Sequence, residues 1–238
     1  MKPKAGVTVK PTVFAKQCYT ITQCISDRLS RAPYLHPQPV ETTGFLDRSW
    51  NPPKPGFLSI RGGQVDVKNH CCYLPGFGEF EWDDAPVPKE LDAIKIRGKW
   101  ALENIERVQI PQLKGIDGLH RCVIQFNKKA VSQLKMLWQA WEECGLLSKI
   151  VMFDAGFVER YQRRCNHTAI SNHAFGTAFD INVQWNGFGC LPARLGEYGC
   201  VRQLAEVANQ YGFYWGGHWG GLEKKGWDGM HFEVAKIM

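Results

Sequence analysis

Asn127 and Gly145 bracket the segment that most constrains this chain. Between them Val131, Leu134, Leu137, Trp138 and Trp141 recur three or four residues apart, the spacing of one face of an α-helix. Asn127 suits an N-cap, and Gly145 can adopt the left-handed conformation on which helices commonly end. An apolar stripe carrying two tryptophans must pack on something, most simply a sheet. Residues 120–126, 149–154, 178–183 and 231–235 read as short strands. Residues 200–211 read as a second amphipathic helix, using Val201, Leu204, Ala205 and Ala208 and closed by Gly212. Helices and strands alternate irregularly, so the predicted fold class is α+β rather than a doubly wound sheet.

The N-terminal part reads differently. One helix is expected over residues 13–29. A Pro-rich run from Pro33 to Pro55 follows, with Pro52 and Pro53 adjacent, and it forbids regular helix. Such a run is an extended loop or linker. Residues 61–90 mix Gly, Pro and aromatics (Tyr73, Phe77, Phe80, Trp82) and predict short strands and turns. The chain therefore divides into an irregular N-terminal extension, 1–110, and a second unit, 111–238.

Composition narrows the function classes. With 44% hydrophobic and 22% charged residues over 238 positions, a mostly disordered chain is excluded. Residues 151–238 carry eight basic and eight acidic side chains, so the whole excess of +6 lies in residues 1–150. A basic flank suits adsorption to an anionic polymer such as cell wall, although an excess of this size is common in soluble proteins. Nine cysteines form no C-x-x-C, so a thiolate zinc cluster or thioredoxin-type site has no support. Cys71-Cys72 is either a disulfide end or a pair of buried thiols. The first ten residues lack the apolar run of a secretory signal, and no apolar stretch reaches ~18 residues. The expectation is a chain made in the cytoplasm with no stable membrane insertion. No G-x-G-x-x-G, G-x-x-x-x-G-K-[ST] or G-x-S-x-G occurs, which leaves nucleotide binding and serine hydrolysis without a foothold. No nucleic-acid partner is expected.

Polar residues concentrate in three stretches, 156–160, 171–180 and 227–233, and the last two run into predicted strands. Over 178–183, Phe179, Ile181 and Val183 share one face, while Asp180 and Asn182 share the other. His173 precedes Asp180 by seven residues, across a turn containing Gly176 that can fold it back. Over 231–235, Phe232 and Val234 point inward and His231 and Glu233 share the opposite face. Two neutral imidazoles and one carboxylate are a standard zinc ligand set with the fourth position left open. Zinc lowers the pKa of water from 15.7 to about 7, and hydrolysis then needs a base for the proton. Asp228, three residues before His231 across Gly229, is placed to serve as one. The bland alternatives are a buried His–Asp–His hydrogen-bond network, and an Asx turn at Asp228.

The strings Ser171-x-His173-x-x-Gly176-x-Ala178-x-Asp180 and Asp228-x-x-His231-Phe232-Glu233 resemble the VanY-like D-alanyl-D-alanine metallocarboxypeptidases. That family includes phage endolysins cutting between L-Ala and D-Glu, and it shares its zinc fold with the hedgehog signalling domain. The resemblance covers roughly residues 119–238 and implies a small central antiparallel sheet flanked by helices. It implies one Zn2+ per chain held by His173, Asp180 and His231, with Asp228 as catalytic base and Arg160 holding a substrate carboxylate. Many relatives carry Glu at the base position, and Asp is the form in the endolysin-like branch. Against these roles stand an ion pair of Arg160 with Glu159 or Glu206. His218, following Gly216 and Gly217, is a candidate for stabilising a developing oxyanion, and Ser171 for binding the substrate backbone or capping its loop. Glu233 is a candidate for orienting His231. His167 reads as a loop residue. Trp215, Trp219 and Trp227 line a cleft or fill the core.

The expectation is a zinc peptidase acting on peptidoglycan stem peptides. It would work in the periplasm or cell wall after holin-type release or specialised secretion, with the N-terminal region as a wall-binding or delivery segment. Two rivals stand beside it. One is a zinc-containing protein that binds peptide or wall without turnover; the other is a hydrolase for small dipeptides.

Overall fold

The computed structural model describes residues 49–116, 122–163, 166–220 and 226–238. The helix expected over 13–29 and most of the Pro-rich run lie outside them. No described helix is long and apolar enough to cross a membrane.

The described residues form a mixed fold with antiparallel sheets. Strands β1 (Gln64–Asp66), β2 (Cys71–Leu74), β3 (Gly78–Asp84) and β4 (Ile94–Ile96) make one sheet in sequence order. A short helix α1 (Trp100–Asn104) leads into β5 (Ile105–Gln109), which pairs with β6 (Val123–Asn127). The third sheet is built from β7 (Phe153–Ala155), β8 (Ala178–Ile181), β9 (Phe213–Trp215) and β10 (His231–Val234) in the order β7-β8-β10-β9. Helix α2 (Val131–Glu143) and helix α4 (Arg202–Gln210) pack on it, and a helical turn α3 (Val183–Asn186) follows β8.

Helix α2 follows the sequence logic. Asn127 accepts a hydrogen bond from the Lys129 amide at 3.1 Å and starts a 3-10 turn that runs into the helix. Gly145 has φ +67°, and the amides of Gly145 and Leu146 return to the carbonyls of Glu142 and Trp141. The stripe predicted on α2 faces the sheet. Trp138 and Trp141 meet the ring of Phe179, each with ring centroids 6.0 Å apart. Phe179 and Phe232 sit opposite each other on β8 and β10 and stack at 5.6 Å. Burying a phenylalanine side chain contributes about 1.5–3 kcal/mol, so this aromatic cluster stabilises the packing of α2 on the sheet.

Two strand expectations are corrected. The strand expected over 178–183 ends at Ile181, because Asn182 adopts φ +54° and turns the chain into α3. The Asn182 side chain then faces no cleft. Its Oδ1 accepts from the amides of Val151 and Met152, and its Nδ2 donates to the carbonyls of Lys149 and Gly199. Those bonds also explain why the strand expected at 149–154 is confined to Phe153–Ala155. The Val151 and Met152 amides that a longer ladder would use are bound to a side chain.

The expected boundary at 110 and 111 falls between two paired strands, β5 and β6. Leu74, Phe77, Trp82 and Ile110 share one buried apolar cluster with Trp138, Phe179 and Phe232. Residues 49–63 form no helix or strand, yet they are tied to the C-terminal half. The buried guanidinium of Arg202 donates to the carbonyl of Trp50 at 2.7 Å and to Asn51 at 3.1 Å, while also bonding the carbonyls of Ala193 and Pro192. Of the described cysteines, Cys71 is half-buried and Cys72 buried, and both are free thiols; burial pushes Cys72 up to about 12.

Candidate metal centre

His173 reaches the site from a 3-10 turn, Asn172–Phe175. Ser171 caps that turn by accepting from the His173 amide, and Gly176 ends it with φ +64°. A side chain at Gly176 would collide with Ile105 and crowd the Asn127 amide, so the turn into β8 requires glycine. Four residues later Asp180 projects from β8. On the neighbouring strand His231 lies directly opposite it. The same register that points Phe179 and Phe232 into the core points Asp180 and His231 at one another on the other face.

The three inner donor atoms converge. His173 Nε2 lies 3.2 Å from Asp180 Oδ1 and 3.2 Å from His231 Nδ1, and His231 Nδ1 lies 3.0 Å from Asp180 Oδ1. The outer ring nitrogens have their own partners. His173 Nδ1 is 2.6 Å from the carbonyl of Gly156, which can only accept, so that nitrogen carries a proton and Nε2 faces inward. His231 Nε2 is 3.3 Å from Glu233 Oε2, and donating there likewise turns the Nδ1 lone pair inward. Three electron-rich atoms held this close repel unless positive charge sits among them. A tetrahedral cation with bonds of ~2.0–2.1 Å needs donors about 3.3–3.4 Å apart, which this trio nearly matches. The residues fit a metal ion.

Electrostatics agree. Burial alone would raise Asp180, yet His173 and His231 hold its carboxyl well below the usual carboxylate range. Burial alone would lower His231, yet its hydrogen bonds to Asp180 and Glu233 raise it to about 10. The centre attracts positive charge, and a bare trio satisfies that with a proton.

Asp228 stands beside it on the turn before β10. Its amide donates to Gly216, its carbonyl accepts from His231, and any side chain at Gly216 would strike it. The Asp228 Oδ1 atom is buried without a hydrogen-bond partner among the described residues, so the Asx turn is not what occupies it. Burial pushes this carboxyl up to about 7, against His231 and with the help of the Asp180 charge. It lines a cavity of about 200 Å³ together with Arg61, Arg160, Ser171, Trp219 and His231.

The other expected residues fall as follows. Arg160 lines that cavity, and its guanidinium bonds only the Tyr161 carbonyl, at 3.4 Å, with no carboxylate partner among the described residues. Ser171 lines the cavity and caps the His173 turn. His218 is buried away from that lining. Its Nε2 donates to the Pro52 carbonyl at 3.0 Å, and burial lowers its pKa, which leaves Nδ1 as an acceptor. In that state His218 has no free proton for an oxyanion. His167 is half exposed, stacked on Tyr161 and 3.3 Å from Asp92. Trp215 is core, and Trp219 lines the cavity.

Sequence reasoning missed residues from the N-terminal segment. Glu233 is gripped by the Ser59 hydroxyl, by the Ile60 amide at 3.2 Å and by Asn172 Nδ2 at 2.8 Å. Asn172 in turn accepts from the Gly62 amide. The only local signal for this contact was the Gly62-Gly63 pair, which reads simply as a turn.

The stretch bearing both motifs also matches a known family. Residues 165–234 match the family model described as D-alanyl-D-alanine carboxypeptidase. The matched span contains His173, Asp180, Asp228 and His231 and supports the VanY-like resemblance; Arg160 and residues 49–63 lie outside it. No curated protein and no solved structure matches the chain.

Proposed function

We propose that the chain is a zinc-dependent peptidase hydrolysing peptidoglycan stem peptides, of the D,D-carboxypeptidase or L-Ala-D-Glu endopeptidase type. It would serve as a cell-wall lytic enzyme or effector in the periplasm or wall. The observation that carries this reading is the half-buried Asp228 carboxyl, whose buried Oδ1 has no hydrogen-bond partner among the described residues, beside three converging donor atoms. A site that only held a metal would need no base there, which favours the enzyme over a zinc-containing binding protein.

His173, Asp180 and His231 would hold the ion. Bound there, zinc would supply Lewis acidity, acidifying water and polarising a carbonyl. Asp228 takes a proton from the attacking water and returns it to the leaving amine. Burial raises this carboxyl in the metal-free chain, which makes it a stronger proton acceptor than an exposed aspartate. Arg160 orients the peptide by pairing its planar guanidinium with a free carboxylate. Glu233 fixes the His231 ring through Nε2. The N-terminal region is proposed as a wall-binding or delivery segment.

The test is digestion of purified muropeptides with mass-spectrometric readout, with and without a chelator. New peptide fragments that vanish with chelator and return with zinc support the proposal. Intact muropeptides in the presence of a full zinc complement would overturn it and favour the binding protein.

A further inference from the structure

Arg61 comes from the N-terminal segment, yet it lines the same cavity as Arg160. Its backbone is pinned on both sides. The preceding Ile60 amide bonds Glu233, and the following Gly62 amide bonds Asn172. Gly62 has φ +68°, and a side chain there would overlap the Ile170 carbonyl, so the segment presses against the turn that delivers His173. The Arg61 guanidinium lies over the Trp219 ring, 4.0 Å from its centroid. Stacking of this kind orients the planar fork while leaving its in-plane donors open. No carboxylate pairs with Arg61 among the described residues. Of the two acids in the lining, Glu233 is already bound by Ser59, Asn172 and His231, and Asp228 feels the charge of both Arg61 and Arg160 without bonding either. Arg163, also in the lining, sits 3.7 Å from Glu90.

Two guanidiniums without carboxylate partners therefore share one small cavity, and a single peptide carboxylate can satisfy only one of them bidentately. We propose that Arg61 is a specificity-determining residue, and that the cavity takes a peptide residue bearing two carboxylates, one for Arg160 and one for Arg61. This inference rests on the peptidase reading for the place of Arg160. It selects, within that reading, peptides cut beside a dicarboxylic residue over those ending in a single carboxylate. Because both arms are held before binding, little ordering is lost when the ligand arrives.

Equilibrium binding tests this without requiring turnover. In zinc-loaded Asp228→Ala protein, calorimetry would compare acetyl-L-Ala-D-Glu with its two monoamides, acetyl-L-Ala-D-Gln and acetyl-L-Ala-D-isoglutamine. The diacid is expected to bind about tenfold more tightly than at least one monoamide. Adding Arg61→Ala is expected to remove that preference, weakening the diacid about tenfold while changing that monoamide less than twofold. Arg61→Lys, which keeps charge but loses the fork, falls between. Equal weakening of all three peptides, no preference in the parent, or no binding of the diacid overturns the proposal. Hydrolysis of the same diacid by wild-type protein is scored separately. Binding with the stated preference but no hydrolysis would sink the peptidase reading and keep the dicarboxylate site.

Discussion

Asp180 and His231 are held by a strand ladder with Phe179 and Phe232 packed behind them, whereas residues 49–63 lie across the site with no helix or strand of their own. The first region is fixed by register and by burial on both faces. The second is held by separable hydrogen bonds: Arg202 to Trp50 and Asn51, His218 to Pro52, Asn209 to Pro53, and Ser59 and Ile60 to Glu233. The two meet at Glu233, which touches the His231 ring from one side and residues 49–63, the strap, from the other. On the proposed reading, holding a cation falls to the ladder and presenting a substrate to the segment held by side-chain and single backbone bonds. Changes in the ladder should remove the metal; changes in the strap should leave it bound but alter its surroundings.

The largest effect that separates them is expected from Asp180→Ala. It should abolish metal binding and activity together, read by elemental analysis and muropeptide digestion. Next comes Asp228→Asn, which should keep the metal and cut turnover about 10²–10⁴-fold. The same variant carries a stability signature in metal-free protein. Asp228 is raised to about 7 in the folded chain, above its unfolded value, so wild type loses stability as pH rises from about 4 through 7. Asn does not titrate, and the variant should be as stable as wild type near pH 4 and more stable above pH 7. Denaturant titrations at both pH values check this; an equal gap at each pH would contradict it.

Smaller effects probe the strap and its junction with the ladder at Glu233. Arg202→Met leaves buried carbonyls without a donor and should cost about 2–4 kcal/mol while metal content stays intact. Glu233→Gln should weaken zinc affinity about 10–100-fold, because the ring it steers is a ligand. Ser59→Ala is the mildest. It removes one of several bonds to Glu233 and should cost about 1 kcal/mol with little change in metal affinity. If Ser59→Ala disturbed zinc as strongly as Glu233→Gln, the division between ladder and strap would fail.

The same division decides what could be read from the sequence. His173, Asp180 and His231 were legible because alternation on two strands and one glycine turn suggest the trio, and because the two strings that carry them resemble a known zinc peptidase family. Helix α2 was legible because its cap, stripe and terminal glycine agree. Asn182 was misread because alternation continues on paper through a residue that leaves the strand at positive φ to bind four backbone groups. Strand β9 gave no alternating pattern, since Phe213, Tyr214 and Trp215 are all buried. Arg61, Ser59 and Gly62 had no pattern at all. Their partners Trp219, Glu233 and Asn172 lie more than a hundred residues away, and no local periodicity links the two stretches.

The most direct test of the central claim is zinc-edge X-ray absorption on purified protein of known metal content. Zinc at one equivalent per chain, with nitrogen and oxygen neighbours near ~2.0 Å and no sulfur, is the outcome predicted for His173, Asp180 and His231. Absence of stoichiometric zinc after reloading, or a sulfur shell near ~2.3 Å from the cysteines, would contradict it.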